Sequence, residues 1–334
     1  MQTFNKQSYT TAGFFTLAIR MVVGWTYFSA FWRRLILENK LIENEVGYIG
    51  VKFNHFLPNA LGIKPLIEYL VTHPDILWWA MVIFTIVEAI VGLCIMLGLF
   101  TRLMSIGVIS LAMGILLGSG WIGTTCLDEW QIGVLGVATG FILFLTGGGI
   151  GSIDYYLEKK GFKFTQKRWF NFLGSGVLPI KNLKPVVFVG SFAILLLTLY
   201  TNQVFHGGVF GTLHNKSVKP KIELADVSIT DSELAFQVYR VEGADVYGSF
   251  LIGVQIETAS GEVIHKWDGT ALSQLSENQI ENVYVAKVQP GKHSLVIPLG
   301  AKALVKLPIV NEGFNQAKIV RLIDISGIEW TAEL

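Results

Sequence analysis

The sequence predicts an α-helical integral membrane bundle followed by an all-β sandwich of immunoglobulin-like type. Three observations predict it. Only 15% of the 334 residues are charged, where soluble domains carry about one quarter, and the deficit is concentrated before about residue 210. That region holds five apolar stretches, each close to the roughly 20 helical residues that cross a bilayer core. After Phe205 the chain changes to short runs of alternating apolar and polar residues between turn signals, the period of half-buried strands.

The five stretches are 13–32, 76–97, 103–120, 130–147 and 184–205. Five crossings put the two termini on opposite sides. The connector after the fourth stretch holds Lys159, Lys160, Lys163, Lys167, Arg168, Lys181 and Lys184, and basic residues in short flanks mark the cytoplasmic side. Lys6 and Arg102 agree. The expected arrangement is a multi-pass protein of the cell (inner) membrane, N-terminus cytoplasmic and C-terminal domain extracytoplasmic. No cleavable leader is evident in MQTFNKQSYTTAG, so the first span is expected to remain as an anchor. The basic, aromatic connector 148–183 reads as an amphipathic segment lying on anionic headgroups.

Two charges lie inside the spans, Arg20 and Glu88. Counted from the cytoplasmic ends they fall at similar depth, so they can meet, either as a structural pair that fixes helix register or with Glu88 passing protons. Gly24, Gly92 and Gly98 permit close helix packing. On the outer side, Arg33 and Arg34 end the first span, where they either snorkel to headgroups or attract an anion. The outer stretch Ser119–Gln131, SGWIGTTCLDEWQ, has no Lys or Arg but carries Thr124, Thr125, Cys126, Asp128 and Glu129. Trp25, Trp32, Trp121 and Trp130 cluster toward the outer halves of the spans, as an interfacial belt or as the walls of a flat apolar pocket.

The tail supplies the strand runs PKIELADVSI, ELAFQVYRVE, YGSFLIGVQIET, EVIHKW, NVYVAKV, HSLVIPL and AKIVRLIDIS. The domain expectation is 1–183 helical membrane domain, 184–205 fifth transmembrane helix, and 206–334 outer β-sandwich. A net charge of +1 argues against nucleic-acid binding. Two cysteines cannot make a disulfide framework, and no CxxC, His/Cys cluster or strand-borne glycine fingerprint suggests a metal or flavin.

The order Glu88, Gly92, Gly98-Leu99 and Thr101-Arg102, preceded by Arg20 in LAIRMVVGW, resembles the DoxX/DoxD membrane family. GWIGTTCLDEWQIG resembles the outer connector of the DoxD branch, and YRVEGADVYGSFL with GKHSLVIPLGAKA resembles DoxA. The chain thus resembles the two small subunits of thiosulfate:quinone oxidoreductase fused in one, with a four-helix DoxX-like core plus a fifth helix. That resemblance implies oxidation of thiosulfate to tetrathionate with electrons passed to a membrane quinone, and no metal or flavin cofactor. It leaves the oligomeric state open, a homo-oligomer included.

On this reading Arg33 and Arg34, with Thr124 and Thr125 as donors, hold the dianion. Cys126 is either a thiolate nucleophile, disfavoured by its acidic neighbours, or an inert small residue. Asp128, Glu129 or Glu88 supplies protons to the quinone, or the first two form a solvated turn, Asp128 capping the fourth helix. Trp25, Trp32, Trp121 and Trp130 line the quinone. The competing expectation is a non-enzymatic membrane module whose outer β-domain binds an envelope partner.

Overall fold

The computed structural model describes residues 6–123, 128–230, 232–246, 248–309 and 314–334. The chain forms two compact units: Met1–Glu45, Trp79–Gly120 and Leu127–His214 make one, and Val46–Trp78, Trp121–Cys126 and Asn215–Leu334 the other.

The helical elements, in chain order, are α1 (Lys6–Phe15), α2 (Leu17–Phe31) continued by a wide π turn (Trp32–Leu37), α3 (Ile49–Phe56), α4 (Lys64–Thr72), α5 (Pro74–Leu97), α6 (Thr101–Ser119), α7 (Asp128–Thr146), α8 (Ile153–Lys159), α9 (Arg168–Leu173) and α10 (Leu183–His206). Four of these, α5, α6, α7 and α10, are long and apolar enough to cross a membrane, with α1 and α2 together supplying a fifth, bent span. At 24 residues, α5 and α10 run about 36 Å. Many of their apolar side chains face outward. Phe188, Val189 and Phe192 on α10 are all largely exposed, which suits lipid and would be unfavourable in water.

The first span is broken rather than continuous. α1 and the helix that follows it bend by 55° at Thr16, whose hydroxyl donates to the Gly13 carbonyl. A Cβ on Gly13 would collide with the backbone of Gly149, so the bend depends on a glycine contact. Further along, α2 and α5 cross backbone to backbone. A Cβ on Gly24 would overlap the Gly92 carbonyl, and one on Gly92 would overlap Phe28 and the Gly24 carbonyl. The small residues expected to permit close packing do so here.

Among the described residues the second unit has ten strands: β1 (Lys221–Ile229), β2 (Glu233–Glu242), β3 (Ser249–Glu257), β4 (Val263–Asp268), β5 (Ile280–Asn282), β6 (Gln289–Pro290), β7 (Leu295–Ile297), β8 (Lys302–Pro308), β9 (Ile319–Asp324) and β10 (Glu329–Glu333). One sheet has the order β1-β2-β8-β5, the other β10-β9-β3-β7-β6 with β4 also on β3, and every pairing is antiparallel. Alternation along β2, β8 and β9 sends Leu234, Phe236, Val238, Val305, Leu307, Val320 and Leu322 into one shared core with Leu251, Val254 and Ile256 of β3. That is the expected sandwich.

Two boundaries differ from the sequence expectation. Residues 46–78, counted with the membrane domain, pack with the sandwich. Asn54 of α3 is fully buried, donating to the Gly300 carbonyl at 2.6 Å and accepting from Ala286 N–H at 3.0 Å. Asn59 donates to the Val241 carbonyl and accepts from Lys216, and Tyr284 donates to Glu68 at 2.8 Å. The run NVYVAKV, expected as a strand, is strand only as far as Asn282. The reason is that Ala286 and Tyr284 bond to α3 and α4 rather than to a neighbouring strand.

His55, beside Asn54, is buried, and among the described residues neither of its ring nitrogens has a hydrogen-bond partner. Lys52 of the same helix, ion-paired to Asp245, and Arg240 of β2 face it. Burial holds its pKa down at about 4. This lies below the ordinary 6.5, so the folded form binds the proton less well than the unfolded chain. Its contribution to stability is therefore whole above pH 6.5 and is lost as pH falls from 6.5 toward 4, by at most about 3 kcal/mol. Unfolding of the full chain followed by hydrogen exchange in the β-unit should show this acid loss, and His55→Leu should flatten it. An unchanged pH profile in that variant would contradict the assignment.

Candidate functional site in the helical unit

Glu88 is the fifteenth residue of α5, about 21 Å from the helix start. Its partner is Arg34, whose Nη1 lies 2.5 Å from Glu88 Oε2 and 3.0 Å from Thr85 Oγ1. The π turn at Trp32–Leu37 brings Arg34 round to α5, where its guanidinium also lies over the Phe84 ring at 5.8 Å. The Glu88 side chain is 5% exposed and that of Arg34 15%. Only Nη1 of Arg34 is engaged by the described residues; Nε and Nη2 remain available as donors.

The expected pairing of Arg20 with Glu88 does not occur. The crossing at Gly24 and Gly92 explains why. Glu88 lies one turn to one side of that crossing and Arg20 one turn to the other, about 6 Å each way. Arg20 instead donates to the carbonyls of Gly148 and Gly151 at 2.6 and 3.1 Å. The expected Arg33–Arg34 anion site is split as well: Arg34 turns inward to Glu88, while Arg33 is exposed and donates to the Ser29 carbonyl.

The four tryptophans do not share one wall. Trp25 and Trp32 are 55% and 40% exposed and lie in a chain of rings with Phe28 and Phe31, centroids 5.6 to 6.1 Å apart. Trp130 donates to Thr201 of α10 at 2.9 Å. Trp121 is fully buried and donates to the Phe56 carbonyl, so it has no open face for a ligand. Asp128 is exposed at the first residue of α7, where a carboxylate favours the helix dipole; Glu129 follows it, partly buried. Thr124, Thr125 and Cys126 lie outside the described residues.

The other end of the helices holds a polar cluster that sequence reasoning missed. Asp154 accepts from Phe100 N–H, Thr101 N–H, Thr101 Oγ1 and Ser175 Oγ, all at 2.8 to 2.9 Å. It thereby caps α6 from a distance in sequence. Arg102 donates to the carbonyls of Phe144, Asn171 and Gly176. Arg20, Arg102 and Asp154 are all fully buried. The signal was a lone Asp just after the glycine turn Gly147–Gly151. His206, also overlooked, is buried at the end of α10 with Nε2 3.0 Å from the Gly120 carbonyl.

Two family models match the chain: the TQO small subunit DoxD over residues 15–181 and the TQO small subunit DoxA over residues 205–333. The chain belongs to the DoxD family. Its DoxD part contains Arg20, Arg34, Glu88, Arg102 and Asp154, and the DoxA part is the β-sandwich. With these helices and these two family matches the chain is a multi-pass membrane protein of an oxidoreductase family. No solved structure matches the chain.

Proposed function

We propose that this DoxD–DoxA protein oxidises thiosulfate to tetrathionate and reduces a membrane quinone beside Arg34 and Glu88. The observation that carries this reading is a carboxylate and a guanidinium paired at 2.5 Å inside an apolar helical unit, in which α2 and its π turn also carry a chain of rings with Trp25 and Trp32 exposed. An intramembrane ionisable pair is costly and marks a functional site by default. The donor set fits a quinone: Arg34 has free N–H groups for a carbonyl oxygen, Thr85 adds a hydroxyl, and Trp25, Phe28 and Trp32 offer flat apolar faces.

The overall balance is two thiosulfates, one quinone and two protons giving one tetrathionate and one quinol. Arg34 binds and orients the oxygen on which negative charge builds. As its guanidinium turns toward that oxygen, Glu88 loses its counter-ion, takes up a proton and donates it. The sulfur step belongs to the outer face, where Arg33 supplies charge that attracts the dianion. Cys126 is the thiol of this reading: two electrons leave for the quinone as a Cys126–thiosulfate S–S bond forms, and a second thiosulfate displaces the cysteine to release tetrathionate. Asp128 and Glu129, in the first turn of the next helix, return protons in this mechanism. The basic connector faces the cytoplasm and the β-sandwich the opposite side.

Purified full-length protein, mixed with a quinone analogue under anaerobic conditions, should consume one quinone for every two thiosulfates added. A folded preparation that leaves the quinone oxidised would overturn the proposal.

A further inference from the structure

The segment from α8 to α9 is fastened to the helix ends yet turns outward a basic and aromatic face that the quinone reading does not use. Lys159, Lys160, Lys163, Lys167 and Arg168 are all exposed, and among the described residues none is paired with a carboxylate. The two acids of the segment are engaged elsewhere: Glu158 with Lys6 at 2.9 Å, and Asp154 in the cap of α6. From Lys159 through Lys184 the sequence contains no acidic residue.

Tyr156, Phe162, Trp169 and Phe172 are exposed among these cations. Lys160 Nζ lies 5.5 Å from the Tyr156 ring centre. Trp169 stacks on Phe164 and Phe100 at 6.3 Å, so its ring is held in place. The level of this face is set by its attachments. Asp154 and Arg102 tie it to the first residues of α6, and Ser175 accepts from Gly148 N–H just beyond the end of α7. Spans that end there place the face in the headgroup layer.

We propose that this face is a binding surface for acidic phospholipids. The lysines and Arg168 hold headgroup phosphates, while the four exposed rings enter the acyl boundary. The exposed rings favour lipid over a soluble acidic partner, because they need an apolar phase beside the cations. A connector that only sets orientation during insertion needs positive charge but no fixed shape. This one is fixed by buried hydrogen bonds, so its charges remain arranged in the folded protein. The inference is independent of the reaction at Glu88.

The test is lipid capture by the full chain reconstituted in phosphatidylcholine containing a minor fraction of phosphatidylglycerol, followed by mild extraction and counting of retained lipids. Each basic residue near an acidic surface is worth about 1 kcal/mol, or about fivefold, so phosphatidylglycerol should be enriched at least about fivefold over its bulk fraction. Lys160→Gln/Lys163→Gln/Lys167→Gln/Arg168→Gln should return it to the bulk fraction, as should high salt. All four sites are exposed, and the smaller variant Lys163→Gln/Lys167→Gln, expected to lose part of the enrichment, guards against loss of fold. Retention at the bulk fraction by the wild-type chain, or enrichment that survives the four-site variant, would overturn the proposal. Preferential capture of a soluble polyanion with no lipid preference would also overturn it.

Discussion

Replacing Glu88 by Gln is expected to slow quinone reduction by about 10²–10⁴-fold, the range lost when a positioned proton donor is removed. The amide keeps the shape but cannot carry the proton. Arg34→Gln is expected to act differently, raising the quinone KM as well as lowering kcat, because in the proposed mechanism Arg34 both binds the oxygen and stabilises its charge. Each single change also leaves a charge of the 2.5 Å pair without its partner, at a cost of up to about 3–5 kcal/mol where burial is complete. The double variant Arg34→Gln/Glu88→Gln removes both charges. It should recover most of that stability and none of the activity. Steady-state kinetics with parallel thermal unfolding separates the two effects, and a double variant that regains turnover would remove the pair from the chemistry.

The second large effect lies at the opposite end of the helices. Asp154→Asn turns an acceptor-only carboxylate into a group that presents N–H to N–H. Phe100, Thr101 and Ser175 all donate to Asp154, and loss of a cap plus a buried unsatisfied donor costs at least about 3 kcal/mol. The expected result is a lower unfolding midpoint for the helical unit and faster proteolysis of the connector 148–183. Quinone reduction at low temperature, where the fold survives, should be nearly unchanged. A variant with wild-type stability would show that the cap is dispensable.

Much of the fold was legible because period and length are local properties. Apolar runs of bilayer length gave the spans, and alternation gave β2 and β9, whereas β8 was not among the runs read as strands. The bend at Thr16 was not legible, since it depends on Gly13 meeting Gly149, far away in sequence. The attachment of residues 46–78 to the sandwich was also hidden, because it rests on single residues such as Asn54 and Glu68 finding partners beyond residue 280.

At the candidate site, the cost of burying charge identified Glu88, but depth counted from span ends chose the wrong arginine. Depth cannot register where two helices cross, and the Gly24–Gly92 crossing decides that Arg34 rather than Arg20 reaches Glu88. The tryptophans carried position but no facing direction. Trp25 and Trp32 are exposed beside Phe28, whereas Trp121 is enclosed. Asp154 was passed over because an acid in a basic connector looks like a surface residue. Only its four donors show it to be a helix cap.

The proton at Glu88 is the most direct test of the central claim. Redox-triggered infrared difference spectroscopy on the purified full chain with bound quinone should show a carboxyl band that changes as the quinone is reduced. That band should vanish in Glu88→Gln and persist in Asp128→Asn. A difference spectrum with no carboxyl signal, or one whose signal survives Glu88→Gln, would contradict quinone reduction at the Arg34–Glu88 pair.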